Sequence, residues 1–261
     1  MFDPAESCGR YAKLTGGRSQ TAEAPSVNRR SLCLPRAIVA VGAVICTPCA
    51  ASAQVQDGQL WSQVNTNVSI NKRMRVTLEQ IARVSKRQDG LYQTEFGGLF
   101  SYRFIKGVEV GFGYRKVGAH NGNTGADEDR LRQQIIGIFG PFTTRFRVDE
   151  RFNPRGGEVG FRFRPLLRYN YRLRPKGFAL FASHESFLLG NSTIWGQRRG
   201  YERMRNIIGV VVPIGQQVSA DIGYLNQFRP HRGSSKAQMD HALTVQLTIN
   251  LREVAHPVVN D

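Results

Sequence analysis

Between Phe161 and Arg174 the chain alternates between two kinds of side chain. Arg162, Arg164, Arg168, Asn170, Arg172 and Arg174 fall on one parity; Phe161, Phe163, Leu167, Tyr169, Tyr171 and Leu173 fall on the other. A strand sends successive side chains to opposite faces, so this segment has a guanidinium face and an aromatic–aliphatic face. A helix would spread both sets around its circumference. The fold must therefore supply a polar environment on one side of a sheet and an apolar one on the other.

The same period of two recurs along most of the chain. It predicts strands at about 60–70, 73–83, 92–104, 107–117, 130–140, 143–152, 159–173, 178–188, 201–212, 216–228 and 240–251. Most match or exceed the ~9–11 residues of a tilted membrane-spanning strand, whereas soluble strands centre on ~5–6. Arg145, Arg147, Asp149 and Arg151 oppose Phe146, Val148 and Phe152; Thr244, Gln246, Thr248 and Asn250 oppose Leu243, Val245, Leu247, Ile249 and Leu251. Segments 130–140 and 178–188 alternate poorly, and Pro165 is awkward inside a closed sheet unless it marks a bulge. Tight links at 71–72, 105–107, 140–142, 174–177 and 213–215 alternate with longer polar ones at 84–91, 118–129, 153–158, 189–200 and 229–239. Outer-membrane barrels join short periplasmic turns to longer extracellular loops in this rhythm.

Upstream of these strands the composition changes. Arg29, Arg30 and Arg36 precede an apolar run from Ala37 to Cys46, followed by small residues up to Ala53. That order is expected of a secretory signal peptide cut after Ala53, and the run is too short to span a bilayer as a helix. Residues 1–53 then form an extension plus a cleaved signal, a start of translation at Val27 would give that signal a normal length, and 54–261 form the barrel. Cys8, Cys33, Cys46 and Cys49 all precede the cut, so the exported part carries no disulfide and no thiolate metal site. Its thirty Lys and Arg exceed its seventeen Asp and Glu, formally +13. After export such a charge meets lipopolysaccharide, acidic substrates or the chain's own carboxylates rather than nucleic acid.

Alternation alone does not decide whether the apolar faces bury into a soluble core or turn to lipid. The export signal, the strand lengths and the link rhythm favour the second. The expected fold is all-β: a transmembrane antiparallel up-and-down barrel of about 10–12 strands. Eleven segments are counted where an even number is expected with both termini on the periplasmic side, so either 60–70 does not cross or a twelfth strand exists.

Several stretches resemble an uncharacterised family of bacterial outer-membrane barrels, domain of unknown function 2490. They are Trp61, the run Arg145–Phe152, the run Phe161–Arg168, Glu185-Ser186-Phe187, Glu202-Arg203, and Gly223–Phe228, in order over nearly the whole barrel segment. The resemblance implies an outer-membrane barrel and supplies no activity, cofactor or catalytic residue. The chain departs from the pattern at His184, where an acidic residue is common, and at Glu202, where Asn is common.

Two constellations carry chemistry. If the apolar faces meet lipid, Arg145, Arg147, Arg151, Arg162, Arg164, Arg168 and Arg172 point inward, and Glu79, Glu95 and Asp149 join them. Desolvated charges must pair or stay wet. The lumen is then either a filled ionic network or a narrow anion-favouring pore. The second constellation is His184-x-Ser186, whose members share a face of a strand as base and nucleophile, with Asn191 or Glu202 to orient the imidazole. It resembles the arrangement in outer-membrane phospholipases and lipid A deacylases, although Phe187 stands where those enzymes have Asn. Asp127-Glu128-Asp129 is a weak cation-binding alternative to a solvated loop; the histidines have no ligand spacing, and neither metal nor cofactor is expected. Gly111-Phe112-Gly113 is not a phosphate loop, because no helix follows. Lys86, Arg87, Arg198, Arg199, Arg229 and Arg232 are candidates to clamp lipopolysaccharide phosphates, or plain loop charge. The expected role is a non-enzymatic envelope protein, structural or a narrow channel. It lies in outer-membrane lipid and lipopolysaccharide after insertion by the barrel-assembly machinery, and the alternative is a lipid hydrolase.

Overall fold

A computed structural model describes residues 54–123, 125–174 and 177–251. The expected signal peptide, its cleavage point and the start at Val27 lie outside the described residues. The described chain is all-β. Its strands are β1 (Val55–Ser69), β2 (Met74–Ser85), β3 (Gly90–Ile105), β4 (Val108–Ala119), β5 (Glu128–Phe139) and β6 (Phe142–Asn153). They continue as β7 (Gly156–Arg172), β8 (Ala179–Leu189), β9 (Gly200–Pro213), β10 (Val218–Arg229) and β11 (Gln238–Asn250).

Each strand pairs with its sequence neighbours, and β1 meets β11 to close the barrel. The expected parity is corrected here: there are eleven strands among the described residues, neither ten nor twelve. With an odd number the first and last strands run the same way, so the closing pair is parallel. It runs from Val55 opposite Gln238 to Asn67 opposite Asn250, while the other pairs are antiparallel. A parallel ladder is slightly weaker per residue. The buried Asn67 reinforces it, donating to Asn250 at 2.9 Å while accepting from Thr77 at 2.7 Å, and so ties both neighbours of β1 together.

Closure also sorts the links by end. Links 70–73, 106–107, 140–141, 173–178 and 214–217 lie at one end, and 86–89, 120–127, 154–155, 190–199 and 230–237 at the other. The long-loop end is less regular than expected. Residues 153–158 are not a loop, because β6 and β7 stay paired as far as Asn153 and Gly156, leaving two linking residues.

The distribution of polarity is inverted relative to a soluble domain. The inner face buries Glu79, Arg115, Arg132, Arg145, Arg147 and Asp149 almost completely, whereas Phe96, Phe104, Phe112 and Ile208 stand exposed on the outer wall. Among the described residues the buried apolar cluster is small: Trp61, Leu225 and Ala242, with Ile207 against it. What fills the middle of this barrel is ionic.

Candidate functional sites: an ionic lumen and a polar row on the wall

The inner face is built from strands whose inward parity carries arginine on one strand and carboxylate on a neighbour. Glu79 on β2 pairs with Arg115 on β4 at 2.8 Å and with Arg132 on β5 at 2.5 Å. Glu95 on β3 takes Arg115 at 2.7 Å and Arg83 at 3.0 Å. On the other side, Asp149 on β6 holds Arg162 at 2.6 Å and Arg164 at 3.4 Å, both from β7. Glu185 on β8 holds Arg145 at 2.6 Å and Arg164 at 3.0 Å. Because most partners come from different strands, these pairs act as cross-braces over the lumen. Bidentate geometry suits guanidinium and carboxylate, and Arg164 meets Glu185 in this way, Nε donating to Oε1 and Nη2 to Oε2.

Aromatic side chains turned inward complete the lumen. Arg205 lies between Trp61 and Phe187, 4.6 Å from each ring centroid, and Arg168 sits 3.9 Å over Phe181. A guanidinium on an aromatic face is attracted by the ring quadrupole without needing a carboxylate. This explains the poor alternation of 178–188: Phe181 and Phe187 face inward as arginine platforms, while His184 and Ser186 face outward.

Toward the long-loop end the network opens into a cavity of about 240 Å³. Ten arginines line it, among them Arg83, Arg130, Arg151, Arg203 and Arg229, against two carboxylates, Glu95 and Glu128. Glu128 accepts from Arg151 at 2.6 Å, and Arg151 also donates to Gln197 in the β8–β9 loop. The cavity is strongly cationic, and its floor is the cross-braced network.

The outer wall carries a polar row across four adjacent strands, besides smaller groups such as Glu150 with Gln133 and Asp129 with Tyr114 and Lys116. His184 on β8 lies opposite Asn206 on β9, Asn206 opposite Asn226 on β10, and Asn226 opposite His241 on β11. His184 Nδ1 is 2.7 Å from Oδ1 of Asn206, and its Nε2 is 3.0 Å from Oγ of Ser186. An amide oxygen accepts, so Nδ1 carries the imidazole proton and Nε2 is left to accept from the serine hydroxyl. Leu180, Leu188 and Ile208 surround the group as exposed apolar side chains. Beside Ser186 the β7–β8 ladder has a gap: its pairs run through Phe163–Leu188 and resume at Leu166–Glu185, and Pro165, which stands opposite Ser186, has no N–H to give.

The family model for a protein of unknown function, DUF2490, matches residues 58–238, from the seam strand β1 to the start of β11. This chain belongs to the DUF2490 family. An uncharacterized protein of Methylorubrum extorquens is 32% identical over 224 residues, covering 82% of this chain and 97% of its own length. Among solved structures, a chain from work titled on the in-meso crystallization of membrane proteins aligns with a TM-score of 0.38 at 10% identity. It covers 70% of this chain and 79% of that one, and so loose a likeness carries no argument.

In this DUF2490 barrel, Arg145, Arg147, Arg162, Arg164, Glu79, Glu95 and Asp149 are brought together inside, and Arg151 and Arg168 join at the edges. Arg172 does not; it ends β7 exposed at the short-turn end. Neither residue expected to orient His184 does so. Asn191 instead accepts from the Phe161 amide and donates to the Val159 carbonyl, and Glu202 pairs with Arg203 and approaches Arg162. The acidic triplet 127–129 is split. Asp127 accepts from the Ala119 amide, Glu128 turns to the lumen arginines, and Asp129 bonds outward to Tyr114 and Lys116. Among the loop cations, Arg87 and Arg229 line the cavity, and Arg232 donates to the carbonyls of Arg198 and Arg199, joining two loops. Sequence reasoning missed Asn206, Glu185, Arg205 and the inward aromatics. A polar Asn206 in the outward file of Met204, Ile208 and Val210 was the one visible signal.

Proposed function

We propose that this protein is an exported outer-membrane barrel whose apolar wall sits in lipid and whose lumen is a rigid ionic plug. The inversion of polarity carries the reading. Ion pairs that would be misplaced in a soluble core fill the middle, and aromatic and aliphatic side chains that would aggregate in water cover the outside. Its surroundings are then outer-membrane lipid and lipopolysaccharide, reached through the barrel-assembly machinery. The lumen braces the barrel and has no catalytic part.

One observation favours a second reading, a narrow anion channel: the cavity at the long-loop end has ten arginines for two carboxylates. Rings of basic side chains select anions when a pore is continuous. The nearly complete burial of Arg132, Arg145, Arg147 and Asp149 below the cavity argues for closure. Single-channel recording of the purified protein in a planar bilayer under a salt gradient separates the two. A plug predicts a folded, inserted protein with no unitary conductance. Discrete steps with an anion-favouring reversal potential would establish the channel instead, and release by carbonate washing would remove both readings.

A further inference from the structure

The lumen leaves the polar row on the outer wall unused. We propose that Ser186, His184 and Asn206 form a serine-hydrolase site that cleaves fatty-acyl esters of membrane lipids. The proposal rests on the reading of the outer wall as lipid-facing. An ionisable or strongly polar side chain turned to hydrocarbon is costly to keep, and elsewhere on the wall such groups meet as simple pairs, as Gln133 does with Glu150. Here three such side chains occur together, already joined in the order nucleophile, base and orienting group.

The geometry suits the chemistry. Ser186 Oγ–H donates to His184 Nε2, the acceptor nitrogen in the tautomer that Asn206 fixes through Nδ1. An amide in the orienting position does this without placing a carboxylate charge against lipid. His184 and Ser186 share β8, and Asn206 is directly opposite on β9, so all three are held by ladder strands rather than a loop. Ser186 lies three residues from the end of β8 at Leu189, about 10 Å along the strand from the long-loop rim. An acyl chain lying along Leu180, Leu188 or Ile208 brings its ester to that depth while water enters from the rim.

In the first half-reaction Ser186 Oγ attacks the ester carbonyl carbon as His184 Nε2 takes the hydroxyl proton. The tetrahedral adduct collapses, the bond from carbonyl carbon to glycerol or sugar oxygen breaks, and His184 returns the proton to that oxygen. Water then attacks the acyl-serine, giving its proton to Nε2, and the fatty acid leaves as Ser186 recovers its proton. Ester and water become acid and alcohol, with no other reactant.

The test uses protein purified from membranes of cells expressing the full chain. It is reconstituted separately into phosphatidylethanolamine vesicles and into vesicles containing lipopolysaccharide, and released fatty acid is measured by mass spectrometry. Release from one arm or the other, falling about 100-fold or more in Ser186→Ala and in His184→Ala, is expected, and the responding arm names the lipid. Asn206→Ala should lower the rate about tenfold or more, with Asn206→Asp partly restoring it. A fluorophosphonate probe should label Ser186, shown by peptide mapping, and labelling should be lost in His184→Ala. Heat-modifiable gel mobility and retention after carbonate washing report folding and insertion for every variant. A folded, inserted protein that neither releases fatty acid above Ser186→Ala nor takes the probe overturns the site alone. A protein that carbonate releases overturns the lipid-facing wall and the site with it.

Discussion

Asp149 shows how charge and burial trade off at single residues in this protein. It is fully enclosed and answers two guanidinium groups, Arg162 and Arg164, from the adjacent strand. Removing one partner of a buried pair leaves the other charge desolvated, which costs about 3–5 kcal/mol. Asp149→Ala should therefore lower the temperature at which the folded band converts to the unfolded one on gels, well beyond the effect of Arg172→Ala. The latter residue is exposed at a strand end and should change stability by about 0.5 kcal/mol or less. Equal shifts for the two would contradict a braced lumen. Most arginines of the lumen could be read from parity alone, because alternation fixes the face. Glu79, Glu95 and Asp149 could be read the same way, but Glu185 and Arg205 could not: β8 alternates poorly, and which strand faces which across the lumen is recorded in no single segment.

At the scale of elements, β8 and β9 explain why some strands were harder to read than others. The inward face of β8 carries Phe181 and Phe187 and its outward face His184 and Ser186, the reverse of the simple pattern. Arginine makes this stable, since Arg168 and Arg205 use those rings as platforms. Next to Phe181 on β9 is Gly209, which in turn pairs with Gly223 on β10. A Cβ on Gly209 would collide with the Ile222 carbonyl oxygen and lie 2.9 Å from the Phe181 ring. The glycine leaves room for the β10 backbone and the Phe181 ring to approach β9 closely. Gly209→Ala should destabilise the barrel by about 1–3 kcal/mol through overpacking, read as an earlier urea midpoint with an unchanged slope. A wild-type midpoint would mean that the strands relax freely at this corner. The glycines were visible in the sequence, but the ring above them was not.

Over the whole molecule the decisive number is eleven. Alternation together with the links that bound each segment placed the strands to within a few residues, even at 130–140 and 178–188 where alternation is poor, because those signals are written in the segment itself. Closure is different in kind: it depends on how many strands exist and on which edges meet, and no segment records that. The expected even count failed because β1 completes the wall as a parallel partner of β11, braced by Asn67. The odd count has a consequence for sidedness. Val55 lies at the long-loop end, beside Gln238 and the 230–237 link, while Asn250 ends β11 at the short-turn end. On the outer-membrane reading the long loops face outward, so the start of the barrel is on the cell surface and its last strand ends in the periplasm. Residues 54–261 contain no cysteine, so on the reading that the segment before them is removed on export an introduced cysteine is the sole thiol. In intact cells a membrane-impermeant maleimide should modify Gln54→Cys and Ser235→Cys alike and should leave Gln216→Cys unmodified until the envelope is opened. Modification of Ser235→Cys with protection of Gln54→Cys would place β1 the other way up and force an even-stranded barrel, with the parallel seam abandoned.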